Sequence, residues 1–138
     1  MRAFKFVVLV LPVVLAVAGC DSEIDNLPTT PDPVTVTETF TGSININGAA
    51  THTFFSTATG AVSPTLISMG DNPPAQVGFS LGTFAGTSCS LTITNDKAVV
   101  TSVVGGVVTT LGGSLCVRIY DVGSLTESVP YEIRVDHK

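Results

Sequence analysis

From Ser128 to Asp136 the chain alternates without a break: Val129, Tyr131, Ile133 and Val135 fall on one side, Ser128, Glu132, Arg134 and Asp136 on the other. A period of two marks a strand with one buried face, whereas an amphipathic helix repeats its apolar positions every three or four residues. Gln76 to Phe84 shows the same pattern, with Val77, Phe79 and Leu81 opposite Gly78, Ser80 and Gly82. Further strands are predicted at Val34 to Thr41, His52 to Thr59, Val62 to Met69, Ser90 to Asn95, Val99 to Val104, Val107 to Leu111 and Leu115 to Val122. Turn residues separate them at Asn47-Gly48, Gly70 to Pro74, Asn95-Asp96, Gly105-Gly106, Gly112-Gly113 and Gly123-Ser124. Eight or nine short strands with no helical window imply an all-β domain over residues 34–138, built as two antiparallel sheets packed face to face. An immunoglobulin-like sandwich is the alternative connectivity.

The N-terminus has a different character. Arg2 and Lys5 precede an apolar run from Phe6 to Ala18, and the run closes on Val17-Ala18-Gly19-Cys20. About thirteen apolar residues are too few for a membrane helix, which needs roughly 20. A basic start, a short apolar core and small residues before a cut are the parts of a secretory signal. The last four residues resemble the lipobox of bacterial lipoprotein precursors, in which cleavage between Gly19 and Cys20 leaves Cys20 as the lipid-carrying first residue. The resemblance implies a signal over residues 1–19 and attachment through acyl chains such as palmitate. Each buried CH₂ contributes about 0.8 kcal/mol, so several chains would hold the protein essentially permanently. Residues 20–33 then read as a tether: Asp21, Glu23, Asp25 and Asp32 repel one another, and Pro28, Pro31 and Pro33 oppose helix and ladder alike. Asp21, directly after Cys20, favours retention in the inner membrane of the cell envelope, facing the periplasm.

The chain has 6 Lys and Arg against 11 Asp and Glu, and removal of the segment holding Arg2 and Lys5 moves the formal charge from −5 to −7. Nucleic acid is excluded as a partner on that balance, because its binding draws on cations that neutralise phosphates. With Cys20 taken by lipid, Cys89 and Cys116 form an even pair in an exported, oxidising compartment, and a disulfide is expected. It would close a loop of about 28 residues, for which the chain-entropy model gives roughly 3.5 kcal/mol. Parity complicates the pairing. Cys116 alternates with Leu115, Val117 and Ile119 and so faces away from the core, whereas Cys89 shares parity with Leu91 and Ile93. A bulge near Gly112-Gly113 or a turn at Cys89 would reconcile them, placing Cys89 at a strand edge.

Gly113 to Tyr120 (Gly-Ser-Leu-Cys-Val-Arg-Ile-Tyr) and Tyr131 to Val135 (Tyr-Glu-Ile-Arg-Val) resemble the closing strands of bacterial pre-peptidase C-terminal domains. Thr51-His52-Thr53-Phe54, after Gly42-Ser43 and Asn47-Gly48, looks like the opening of the same family. The resemblance implies a jelly-roll-like sandwich and a role in secretion or in binding extracellular polymers. Where some members carry paired acidic residues that bind Ca²⁺, this chain has Pro73-Pro74-Ala75-Gln76 with Asp71 isolated.

Candidate chemistry is sparse. Gly78-Phe79-Ser80-Leu81-Gly82 matches the G-x-S-x-G elbow of α/β-hydrolases, with Asp96 or Asp121 and then His137 in the corresponding chain order. That elbow needs a strand, a sharp turn and a helix, so Ser80 reads instead as a solvent-facing strand residue. His52 reads as an exposed residue at a strand start. Asp71-Asn72 and Asn95-Asp96-Lys97 offer oxygen ligands to a hard cation such as Ca²⁺, but separated acidic turns are ordinarily only turns, and no cofactor is expected. Tyr120-Asp121-Val122-Gly123 and Tyr131 would place aromatic rings and a carboxylate near one end of the sandwich, as sugar-binding platforms do, although Tyr is also ordinary core or rim packing. The sequence thus predicts a non-enzymatic, membrane-tethered module that binds an envelope protein or polysaccharide. An accessory subunit for a separately encoded secreted hydrolase is the alternative, and a hydrolase the third reading.

Overall fold

A computed structural model describes residues 30–138, so the signal, the Gly19–Cys20 cleavage site, Asp21 and most of the tether lie outside the described residues. Eight strands follow one another: β1 (Val36–Ile44), β2 (Ala49–Ser56), β3 (Gly60–Ser68), β4 (Val77–Ala85), β5 (Ser88–Ala98), β6 (Gly106–Val108), β7 (Gly113–Tyr120) and β8 (Val129–His137). They make two four-stranded sheets, ordered β1-β8-β3-β6 and β2-β7-β4-β5, with every neighbour antiparallel. Only β4 and β5 are consecutive within a sheet, and all other connections cross between the sheets. This is jelly-roll connectivity, and the immunoglobulin-like alternative is set aside.

The alternation places the core where the sequence predicts it. Val129, Tyr131, Ile133 and Val135 of β8 meet Val117 and Ile119 of β7 and Val77, Phe79 and Leu81 of β4 across the sandwich. Phe79, Ile119 and Ile133 are fully buried, each contributing roughly 1.5–3 kcal/mol relative to an exposed side chain. Met69, Val104 and Leu125 close the core from the loops.

Two predicted strands are corrected. Val99 to Val104 forms a turn: Ser102 N donates to Val99 O at 2.9 Å, and Thr101 takes a positive φ of 76°, which interrupts any extended run. The segment still lines the sheet edge, because Leu66 N donates to Ser102 O and Val104 N donates to Pro64 O, both at 3.0 Å. Of Val107 to Leu111 only Val107 and Val108 belong to a strand, and Leu111 is exposed.

The parity problem is solved in β5 rather than near Gly112-Gly113. Leu81 pairs with Ile93 while Gly82 pairs with Leu91, so Thr92 is an extra residue and the facing of β5 reverses across it. Ile93 packs toward the core, Leu91 turns outward, and Cys89, the second residue of β5, faces the same way as Cys116. The two are bonded, with Cα atoms 5.9 Å apart. β4 lies between β7 and β5 in the sheet, so the bond crosses over it at Gly82, the partner of Cys116. A Cβ on Gly82 would overlap the Ser90 carbonyl.

Cys89→Ala should lower unfolding free energy by about 2–4 kcal/mol, the usual range for a native disulfide. Gly82→Ala should destabilise by about 1–3 kcal/mol through overpacking even with the bridge intact. Denaturant titration with a free-thiol assay checks both: two reactive thiols on the folded wild type, or a Gly82→Ala midpoint equal to wild type, would contradict this packing.

Candidate functional site

On the outward face of β4, Gly78, Ser80 and Gly82 precede Phe84, and none of these three small residues is exposed to solvent. Longer side chains from β7 cover them. Tyr120, the register partner of Gly78, lays its ring where a Cβ would stand, and its hydroxyl donates a short hydrogen bond to Asp96 Oδ1 on β5. Arg118, the partner of Ser80, sets its guanidinium 5.8 Å from the centre of the Tyr120 ring, within cation–π range. The disulfide lies over Gly82. The G-x-S-x-G run is therefore a floor of small residues beneath a ring, a guanidinium and a disulfide.

This corrects the reading of Ser80 as solvent-facing. Its side chain is 0% exposed, and its Oγ makes no hydrogen bond, facing the Tyr120 phenol without the geometry of one. Burial first, and the Asp96 carboxylate second, raise the Tyr120 pKa above its ordinary 10.0. Both described histidines point into the space between the sheets, His52 from the inner face of this sheet and His137 from the facing one.

His52 is likewise corrected: it is half-buried rather than exposed, because β2 directs His52, Phe54 and Ser56 inward. Its ring stacks on Phe40 at 4.8 Å, and Nε2 shares a 2.7 Å hydrogen bond with the Tyr131 hydroxyl. Burial lowers the His52 pKa from 6.5 and raises that of Tyr131 from 10.0. Nearby, His137 Nε2 donates to Glu38 Oε1 at 2.9 Å, and the His137 ring packs 5.1 Å from that of Phe54. The cluster seals the β1–β2 edge.

Beside Arg118 the outer face opens into a groove of about 480 Å³, lined by Ala49, Thr51, Thr53, Phe84, Thr87, Ser88, Cys89 and Arg118. Arg118 Nε is buried without a hydrogen-bond partner, and the guanidinium forms no ion pair among the described residues. A cleft of about 130 Å³ between the sheets is lined largely by apolar side chains, including Val62, Leu81, Ile93 and Val108. It offers little to orient a ligand.

The loop residues read from sequence divide into separate settings. Tyr120 and Asp96 meet each other on the sheet face. Asp121 is occupied locally: Oδ2 accepts from Asn47 N at 2.9 Å, and Oδ1 accepts from the backbone of Gly123, Ser124 and Leu125. The Asn47 bond leads in holding the Asp121 pKa below 3.8. Its carboxylate organises the turn rather than reaching outward beside Tyr120. The predicted turn at Asn95-Asp96 is corrected: both residues continue β5, whose pairing with β4 runs from Phe79–Asn95 to Val77–Ala98 across a second irregularity, and Asn95 Oδ1 accepts from Lys97 N at 3.0 Å within it. Asp71 and Asn72 line a depression of about 240 Å³ with Glu127 and Ser128. Among the described residues no group of three His, Cys, Asp or Glu side chains converges as a metal site requires.

Sequence reasoning missed Arg118 and the groove hydroxyls of Thr51, Thr53 and Ser88. The available signal was Arg118 standing at an outward position of β7, opposite the small residues of β4.

These features define a jelly-roll β-sandwich with one half-covered outer face. No family model and no curated protein matches the chain. Among solved structures the chain is similar to the crystal structure of Yersinia pseudotuberculosis-derived mitogen, with a TM-score of 0.55 and 18% identity over 76% of this chain and 88% of that one. The likeness carries the fold alone.

Ser80→Ala should leave stability unchanged or raise it by up to about 1 kcal/mol, since it removes a buried hydroxyl that has no partner. A loss above that size in chemical denaturation would show that Oγ is satisfied in solution. His52 binds its proton more weakly folded than unfolded, so stability should fall as pH drops below 6.5 toward the depressed folded value. Melts at pH 7.5 and about 5.5 check this, and His52→Gln should flatten the dependence; an unchanged slope would remove His52 as its source.

Proposed function

We propose that the protein is a non-enzymatic lipoprotein of the bacterial cell envelope whose jelly roll, held to a membrane through acyl chains on Cys20, acts by binding. The observation that carries this reading is Val17-Ala18-Gly19-Cys20, closing an apolar run that follows Arg2 and Lys5. The Cys89–Cys116 bond supports it, since such bonds persist in exported proteins and are rare in the cytosol. Binding rather than catalysis is supported by the setting of Ser80, the residue that matches a nucleophile motif. It is fully buried under Tyr120 and Arg118, whereas His52 points inward from the far face of its sheet and His137 inward from the facing sheet. The outer groove beside Arg118 is the surface best suited to a ligand, and an envelope polysaccharide or protein is the partner class.

The strand patterns shared with pre-peptidase C-terminal domains favour a second reading, an accessory subunit of a separately encoded secreted hydrolase. Both readings require the anchor. Labelled palmitate should be incorporated into wild type but not into Cys20→Ser, and the variant should leave the membrane fraction or accumulate uncleaved. Equal membrane association of the two, without label on either, would overturn the lipoprotein reading.

A further inference from the structure

We infer that the groove on the outer face of the β2-β7-β4-β5 sheet binds a carboxylate-bearing sugar, with Arg118 taking the carboxylate. The inference rests on the binding-module reading above and names its ligand class.

Charge decides between the surfaces. Of the four described cationic side chains, Arg134 meets Asp136 at 3.4 Å, Lys138 meets Asp32 at 3.5 Å, and Lys97 is exposed. Arg118 is half-buried and, among the described residues, meets no acid within ion-pair distance. The carboxylate that shares its face, Asp96, takes the Tyr120 hydroxyl instead. The groove lining contains no Asp or Glu. On the opposite sheet a depression of about 490 Å³ carries Glu132 and no cation, so it would repel an anion.

The remaining groups fit a sugar better than a simple anion. Arg presents a planar fork matched to both oxygens of a carboxylate, and the Tyr120 ring fixes that fork from one side. Thr51, Thr53 and Ser88 line the groove with hydroxyls that both donate and accept, as sugar hydroxyls do. The half-buried Phe84 ring gives an apolar surface for a pyranose C–H face. A volume of about 480 Å³ lies within the roughly 300–1,000 Å³ range of small-molecule sites.

Calorimetry on the full chain, solubilised from membranes in detergent, tests this with trigalacturonate against uncharged galactotriose. Trigalacturonate should bind at least about tenfold more tightly than galactotriose, and Arg118→Gln should weaken it by about tenfold or more, the loss expected for a charge-assisted hydrogen bond. Arg118→Lys should fall between, keeping the charge without the fork, and Arg134→Gln should bind like wild type. Should Arg118→Gln fail to fold, judged by melting and free-thiol content, Arg118→Lys carries the comparison. Equal affinity for the two sugars, no binding of trigalacturonate, trigalacturonate binding that ignores both Arg118 variants, or preference for an Asp-Glu peptide would each overturn the inference. A chain that captures an envelope partner while ignoring trigalacturonate would overturn this inference and leave the binding-module reading standing.

Discussion

The approach of β5 to β4 at Gly82 governs the second sheet. With no side chain on Gly82, the Ser90 backbone passes over β4 where a Cβ would otherwise stand, and Cys89 comes within bonding distance of Cys116 on the far side of that strand. Two neighbours of the same central strand are ordinarily separated by two strand spacings, close to 10 Å. The 5.9 Å between the cysteine Cα atoms is far shorter, and it requires β5 to fold over rather than lie flat. The extra residue at Thr92 allows the return: beyond it Ile93 rejoins the inner face, so the same strand serves the outer bridge at one end and the core farther along.

That geometry gives β4 two buried faces of different kinds. Phe79 and Leu81 pack inward on hydrophobic burial, while Gly78, Ser80 and Gly82 are covered by parts of other strands. Alternating large apolar and small residues is what such a strand requires, because the covering groups occupy the space that side chains would fill. The same alternation in sequence is indistinguishable from a half-exposed strand. The cover is long-range, contributed by Tyr120, Arg118 and the bridge, and nothing between Gln76 and Phe84 records it.

The legible and illegible parts of the fold divide on that physical ground. β8 and the inner faces of β4 and β7 follow from local alternation, since the side chains that set their facing are contiguous. The cysteine pair follows from number and compartment. The path of β5 does not: its facing depends on a bulge that leaves no special residue at Thr92, and the positive φ of Thr101 falls on a β-branched residue that sequence assigns to a strand. His52 shows the same limit. Its burial comes from Phe40 and Tyr131 on the opposite sheet, so the residues beside it, Thr51 and Thr53, give the exposure of the other face. Asp96 and Tyr120 stand out singly in the sequence, but their meeting depends on the small size of Gly78, between the strands that carry them.

The environment of Arg118 also bears on why, among the described residues of an acid-rich chain, one half-buried cation stands without an acid. Desolvating a guanidinium is costly, and a partner carboxylate is the usual offset. Here the offset is divided: the Tyr120 ring supplies a cation–π contact of about 0.5–2 kcal/mol, and the half-buried side chain lines an open groove on the outer face rather than the core. Asp96 could have neutralised the charge directly, but its bond to the Tyr120 hydroxyl instead fixes the ring on which the guanidinium rests. Each member of the row therefore positions the next, from Asp96 through Tyr120 to Arg118, and the charge at its end is oriented without being cancelled. A carboxylate entering the groove meets a fork already held in place, so less side-chain freedom is lost on binding than an exposed arginine would lose.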